Sequence, residues 1–152
     1  IVCGATVAET AALMDEVEAR LALPARDVDM ASPNTAPPEG RLWTSESWLT
    51  RDPRAADLVT SGTYYPDHVV FLGPALPKRD ADNSRPALFV EGSGVALKTD
   101  ATPSQRAMLR CISDLMLRLP VGWTIEAIGP DAEAELLDWD AEKYRQALAA
   151  QS

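Results

Sequence analysis

The chain has 152 residues, 46% of them apolar, and carries a formal net charge of −9 at pH 7. That is enough length and apolar content for a domain with a real core. The acidic balance argues against a nucleic-acid partner and an anionic membrane surface, both of which need basic patches, and no apolar run reaches the roughly 18 residues of a membrane span.

In chain order, Ile1-Val2-Cys3 reads as the tail of a strand that Gly4 breaks. Ile1-Val2-Cys3-Gly4 does not read as the basic start of a signal peptide, so none is expected in these residues. An opening apolar run without a preceding cap reads as that of a fragment or a processed chain. Thr6-Val7-Ala8-Glu9 is a capping box, and Leu13, Met14, Val17 and Leu21 follow at helical spacing. A helix over 6–21 is expected, packed on a sheet. Residues 24–53 hold five prolines and little periodicity. So long a connection reads as a linker, a lid or an arm. Trp43 and Trp48 within it want burial, either on the chain's own body or on a neighbouring subunit. Asp52-Pro53 caps a short helix that Gly62 ends.

The central stretch, 63–74, holds the only histidine, His68, two of three tyrosines and the unbroken apolar run Val69-Val70-Phe71-Leu72. Between Pro66 and Gly73-Pro74 this run reads as a buried strand, with Asp67 and His68 at the mouth of a sheet. Residues 74–86 read as a solvated polar loop. Ala87 to Glu91 and Val95 to Thr99 form a hairpin through Gly92-Ser93-Gly94. A strand follows these glycines where a phosphate loop needs a helix, so they are a turn. Thr102, Pro103 and Gln105 start the clearest helix. Its apolar stripe is Met108, Cys111, Ile112, Leu115, Met116 and Leu119. A strand over 123–128 and a last helix over 131–148 complete the chain.

The expected fold is α/β: a small mixed sheet with strands near 67–72, 87–91, 95–99 and 123–128, packed with helices over 6–21, 103–119 and 131–148. A helix between the hairpin and the Trp123 strand implies a right-handed crossover. The expected divisions are 1–23, 24–53 as the Pro-rich arm, and 54–152. Cys3 and Cys111 fit no metal or redox spacing and read as buried free thiols of a reducing compartment.

Asp67 and His68 are the candidate catalytic residues. Tyr65, Lys78 and Arg79 are candidates for substrate contact. One histidine and two unrelated cysteines make no zinc site, so no metal ligand is expected in this chain. A Ser-His-Asp hydrolase lacks its Gly-x-Ser-x-Gly elbow. His68 serves either to fix the segment by hydrogen bonds or as a general base.

Three segments resemble a known family. They are Ile1-Val2-Cys3-Gly4 with its capped helix, Tyr65-Pro66-Asp67-His68-Val69-Val70-Phe71-Leu72-Gly73-Pro74, and Leu136-Leu137-Asp138-Trp139-Asp140-Ala141-Glu142-Lys143-Tyr144-Arg145. Together they resemble the C-terminal part of class II aldolase/adducin-like proteins of the longer, sugar-type form. The resemblance covers residues 1–21 and roughly 55–148, but not the arm. It implies a cytoplasmic lyase parent whose divalent metal, usually zinc, stabilises an enediolate. The metal would sit on an N-terminal aldolase domain of the same parent, and the whole would be a homo-oligomer. The family's metal histidines and catalytic carboxylate are absent from these residues, so this portion would serve structure, assembly or substrate coverage. The other reading is a self-standing small-molecule binding or regulatory domain with a cleft near Asp67 and His68.

Overall fold

A computed structural model describes residues 2–80 and 83–149. It has mixed α and β content. The elements are helix α1 (Val7–Leu21), strand β1 (Arg41–Trp43), a 3-10 helix (Ser45–Thr50), α2 (Pro53–Ser61), α3 (Pro66–Leu72), β2 (Ala87–Val90), β3 (Gly94–Lys98), α4 (Pro103–Arg118), α5 (Pro130–Asp138) and α6 (Asp140–Ala149).

The sheet has three antiparallel strands in the order β1-β3-β2. Leu42, Leu97 and Ala87 lie directly across from one another and share a face. The 3-10 helix packs on β3, and α4 packs on both the 3-10 helix and α3. Trp48, Leu49, Phe89, Val95, Ile112 and Met116 form the heart of one continuous core. Trp48 brings its indole N–H along and donates it to Ser113 Oγ at 2.9 Å.

The hairpin and the capped helix α4 form where the sequence places them. Thr102 Oγ1 accepts from the Gln105 amide, and the Gln105 side chain accepts from the Thr102 amide. The Asp52 carboxylate likewise caps α2. Residues 24–53 are not a free arm. Arg26 donates its amide to Leu117 O at 2.8 Å and its guanidinium to Asp52 and Met116 O. Arg51 holds Asp29 O and Ala31 O. The arm also supplies β1, which pairs with β3, and Trp48, which pins it to its own body.

Several expectations are corrected. Residues 67–72 are not a strand but helix α3. Pro66 sits at its first position, and Gly73, at φ +88, ends it. Four consecutive apolar residues fit a buried helix as well as a buried strand, and here α4 and α5 pack on α3. Residues 123–128 are not a strand either. Trp123 is 59% exposed and makes a turn to Pro120 O. The right-handed crossover therefore does not exist. Residues 2–4 are not in a strand, and Ile1 lies outside the described residues. The last helix is two helices, broken at Trp139 by its extended backbone (φ −64, ψ 129). Both thiols are exposed: Cys111 lies on the side of α4 away from the core-facing Leu109, Ile112 and Met116.

The largest correction concerns α1. Its capping box forms as expected, but the helix packs on no sheet. None of its residues is buried; Leu13 is 39% exposed, Met14 49% and Leu21 73%.

Candidate functional site

Tyr65, Asp67 and His68 belong to the start of α3. Successive helical residues are turned by about 100°, so Asp67 and His68 face different surroundings. Asp67 is half exposed and pairs with the Arg145 guanidinium at 2.8 Å. His68 is 0% exposed. Neither of its ring nitrogens has a hydrogen-bond partner among the described residues, and the Tyr65 ring lies 5.5 Å away, centre to centre. Burial first, and the Arg85 charge second, pull its pKa down from 6.5 to about 4. His68 is therefore a neutral, enclosed imidazole at neutral pH, not a base poised at a surface. The sequence reading of a hydrogen-bonded histidine fails on the same observation.

The Tyr65 hydroxyl donates to Met108 O at 3.3 Å. Burial, then the neighbouring Cys111, raise its pKa. Lys78 is exposed, its ammonium 5.8 Å from the Phe89 ring centre; Arg79 is exposed as well. Asp67 lines a groove of about 460 Å³ with Phe71, Met108 and Arg145. Tyr65, His68, Lys78 and Arg79 do not line it. The five residues singled out in the sequence are thus not gathered around one cavity.

The expected solvated loop, 74–86, is exposed at Pro74, Lys78, Arg79, Asn83 and Ser84, but Asp80 within it is clasped by a buried charge. Arg41 reaches Asp80 Oδ2 at 2.5 Å, and the two side chains are 3% and 2% exposed. The same guanidinium donates to Asn83 Oδ1, Arg85 O and Pro86 O. Asp80 also accepts from the Ser84 and Arg85 amides. Arg85 in turn donates to Leu72 O and Ala75 O, closing the C-terminal end of α3. Composition pointed to solvent because charged residues are rarely buried unless paired; the partner, Arg41, lies 39 residues away in the arm.

The larger cavity is elsewhere. A groove of about 630 Å³ runs between α4 and the segment of β1 and the 3-10 helix. Leu42, Trp43, Leu97, Leu109 and Leu117 supply its apolar lining, and Met30 edges it. Arg106, Arg110, Ser113 and Asp114 line it from α4, and Glu46 from the opposite side. The Trp43 indole is fixed by donating to Thr35 O at 2.6 Å. The groove is open, apolar along one side and edged by charges of both signs, Arg106 and Arg110 against Glu46 and Asp114. Sequence reasoning missed it. The available signal was Arg106 and Arg110, one turn apart on a well-capped helix.

Comparisons of the chain with family models, with curated proteins and with solved structures found no match.

Proposed function

We propose that this chain is the C-terminal portion of a class II aldolase/adducin-like, metal-dependent sugar-phosphate lyase of the cytoplasm. On this reading it serves assembly or substrate coverage and is inactive alone. Its partners would be the metal-bearing aldolase domain of the same parent and further copies of the whole.

The observation that carries the assembly role is the uncovered apolar side of α1. Full burial of a Leu, Met or Val side chain contributes roughly 1.5–3 kcal/mol, and proportionately less from half exposure. Leu13, Met14, Val17 and Leu21 of its stripe stand idle on α1, and Val7 is exposed as well. A 15-residue helix is marginal in water without packing, so its capping box and stripe fit a helix that docks on other polypeptide. The family part of the proposal rests on the resembling segments. Two of them meet in space: Arg145 pairs with Asp67 and lies over Phe71 at 5.4 Å, and Gln146, just beyond, donates to Val70 O at 2.7 Å.

A lyase of this kind draws its electrophilic assistance from a divalent metal. The described residues do not fit such a site. No group of three or more His, Cys, Asp or Glu side chains among them is placed to hold an ion, and the single imidazole is enclosed. No catalytic step is assigned to this chain.

The purified chain, dialysed and then supplied with zinc, is expected to cleave no ketose phosphate above the buffer rate and to retain no stoichiometric zinc. Coupled detection of the released aldehyde and elemental analysis read the two results. Turnover or bound zinc that persists through repurification would overturn the proposal.

A further inference from the structure

Helix α6 is fastened to the body by polar groups. None of its ten residues is buried, and its largest apolar side chains, Tyr144 and Leu148, are 65% and 47% exposed. Two adjacent polar residues reach α3 instead. Arg145 pairs with Asp67 at 2.8 Å and lies over the Phe71 ring at 5.4 Å. Gln146 donates its side-chain amide to Val70 O at 2.7 Å. In a longer helix that carbonyl would accept from residue 74, but Pro74 has no N–H to give. At its start α6 is joined to α5 by Trp139 alone, whose backbone is extended. Lys143 clasps Asp138 across that joint at 2.7 Å. Between α6 and its seat lies the groove of about 460 Å³, lined by Asp67 and Phe71 of α3, Met108 of α4, and Arg145 and Leu148 of α6. Exposed ion pairs and single hydrogen bonds count for little beside burial, and elements held this way open locally before the core does.

We propose that α6 is a strap over this groove: it swings off α3 about Trp139 while α3, α4 and α5 stay packed, and the Arg145–Asp67 pair is its latch. Both partners of the latch are near half exposed, so dissolved salt screens their attraction. Release does not strand the guanidinium. Within α6, Arg145 also pairs with Glu142 at 2.8 Å and keeps that partner when Asp67 is lost. The opening stops at α5, which packs on α3 in its own right. Lifted, the strap uncovers Phe71 and Met108, with the Asp67 carboxylate and the Val70 carbonyl freed beside them. The device is separate from α1 and does not depend on the assembly role.

Hydrogen exchange of the full chain, followed segment by segment, is expected to show Asp140–Ala149 partly protected at about 0.02 M salt and less so at about 0.5 M. Pro103–Arg118 should stay more protected than α6 and indifferent to salt. Asp67→Asn should speed exchange in α6 about threefold to fivefold, the worth of an exposed ion pair, and remove most of the salt response. The change lies in α3, so the helix propensity of α6 is untouched. Gln146→Ala should act in the same direction, although alanine is the better helix former. Neither side chain belongs to the core, so the fold is kept, and α4 is the internal reference. Arg20→Gln, which breaks an exposed pair on α1, should leave α6 unchanged. Protection of α6 equal to that of α4 and indifferent to salt, Asp67→Asn and Gln146→Ala would overturn the proposal, because α6 would then be a fixed part of the core. So would faster exchange of α4 and α5 together with α6, which is global opening. An α6 without protection at low salt would not dock at all, and contradicts the proposal equally.

Discussion

Replacing Asp80 by alanine is expected to destabilise the chain by about 3–5 kcal/mol, the cost of leaving a buried charge without its partner. Arg41 is enclosed by the loop it holds, with three neutral oxygens and one carboxylate around its guanidinium. Without Asp80 the neutral oxygens remain, but the positive charge is uncompensated. The Ser84 and Arg85 amides lose their acceptor as well. The pair itself is not thereby a large source of stability. Burying two charges is costly, and a well-packed apolar pair often does as well. Arg41→Met with Asp80→Leu removes the uncompensated charge and should recover that part of the loss, but not the part due to the Ser84 and Arg85 amides, which stay without Asp80. Urea unfolding of the two single variants and the double variant gives both numbers and their coupling. A loss below about 1 kcal/mol in Asp80→Ala would mean that the clasp is open to water in solution.

His68 gives the second large effect, and it appears only in acid. Its folded pKa, about 4, lies below the ordinary 6.5. Between these values the unfolded chain binds the proton and the folded chain does not, so stability must fall as pH falls. The contribution is complete above pH 6.5, is lost progressively below it, and is gone below about 4. The gap corresponds to about 3 kcal/mol. His68→Leu puts an apolar side chain in this enclosed position and removes the titrating group. The variant should match or exceed the parent chain at pH 4.5 and show a shallower loss between pH 6.5 and 4. Chemical denaturation across that range measures the difference directly. Parallel curves for the two proteins would mean that the imidazole has a partner in solution.

How much of this was legible in the sequence depended on how local the signal was. The capping boxes at Thr6 and Thr102, the Asp52-Pro53 start of α2 and the hairpin were read correctly, because a few adjacent residues determine them. Mixed α and β content followed from the same elements. The run Val69-Val70-Phe71-Leu72 misled because four apolar residues carry no period. What makes it helical is tertiary, a seat among α4, α5 and α6. Strand β1 was invisible for a related reason. It has three residues, Arg41–Trp43, and exists because β3 pairs with it. Neither buried polar centre could be read from nearby residues. Arg41 and Asp80 are distant in the chain, and nothing local distinguishes His68 from a surface histidine. The α4 groove joins Arg106 and Arg110 to Leu42 and Trp43 across more than sixty positions of sequence.

The stripe on α1 was read as a core face, and its spacing is that of one. Its exposure therefore says more about what this chain needs than any single polar residue does. A capped helix with no tertiary cover should exchange its amides almost as fast as an unfolded segment. The proposal that α1 docks on a longer parent protein is tested most directly by hydrogen exchange over Val7–Leu21, taken on this chain alone and in that full-length parent. The account predicts little protection in the isolated chain and exchange at least about a hundredfold slower in the full-length protein. Protection of α1 equal to that of α4 in the isolated chain, or no gain in the full-length protein, would contradict it.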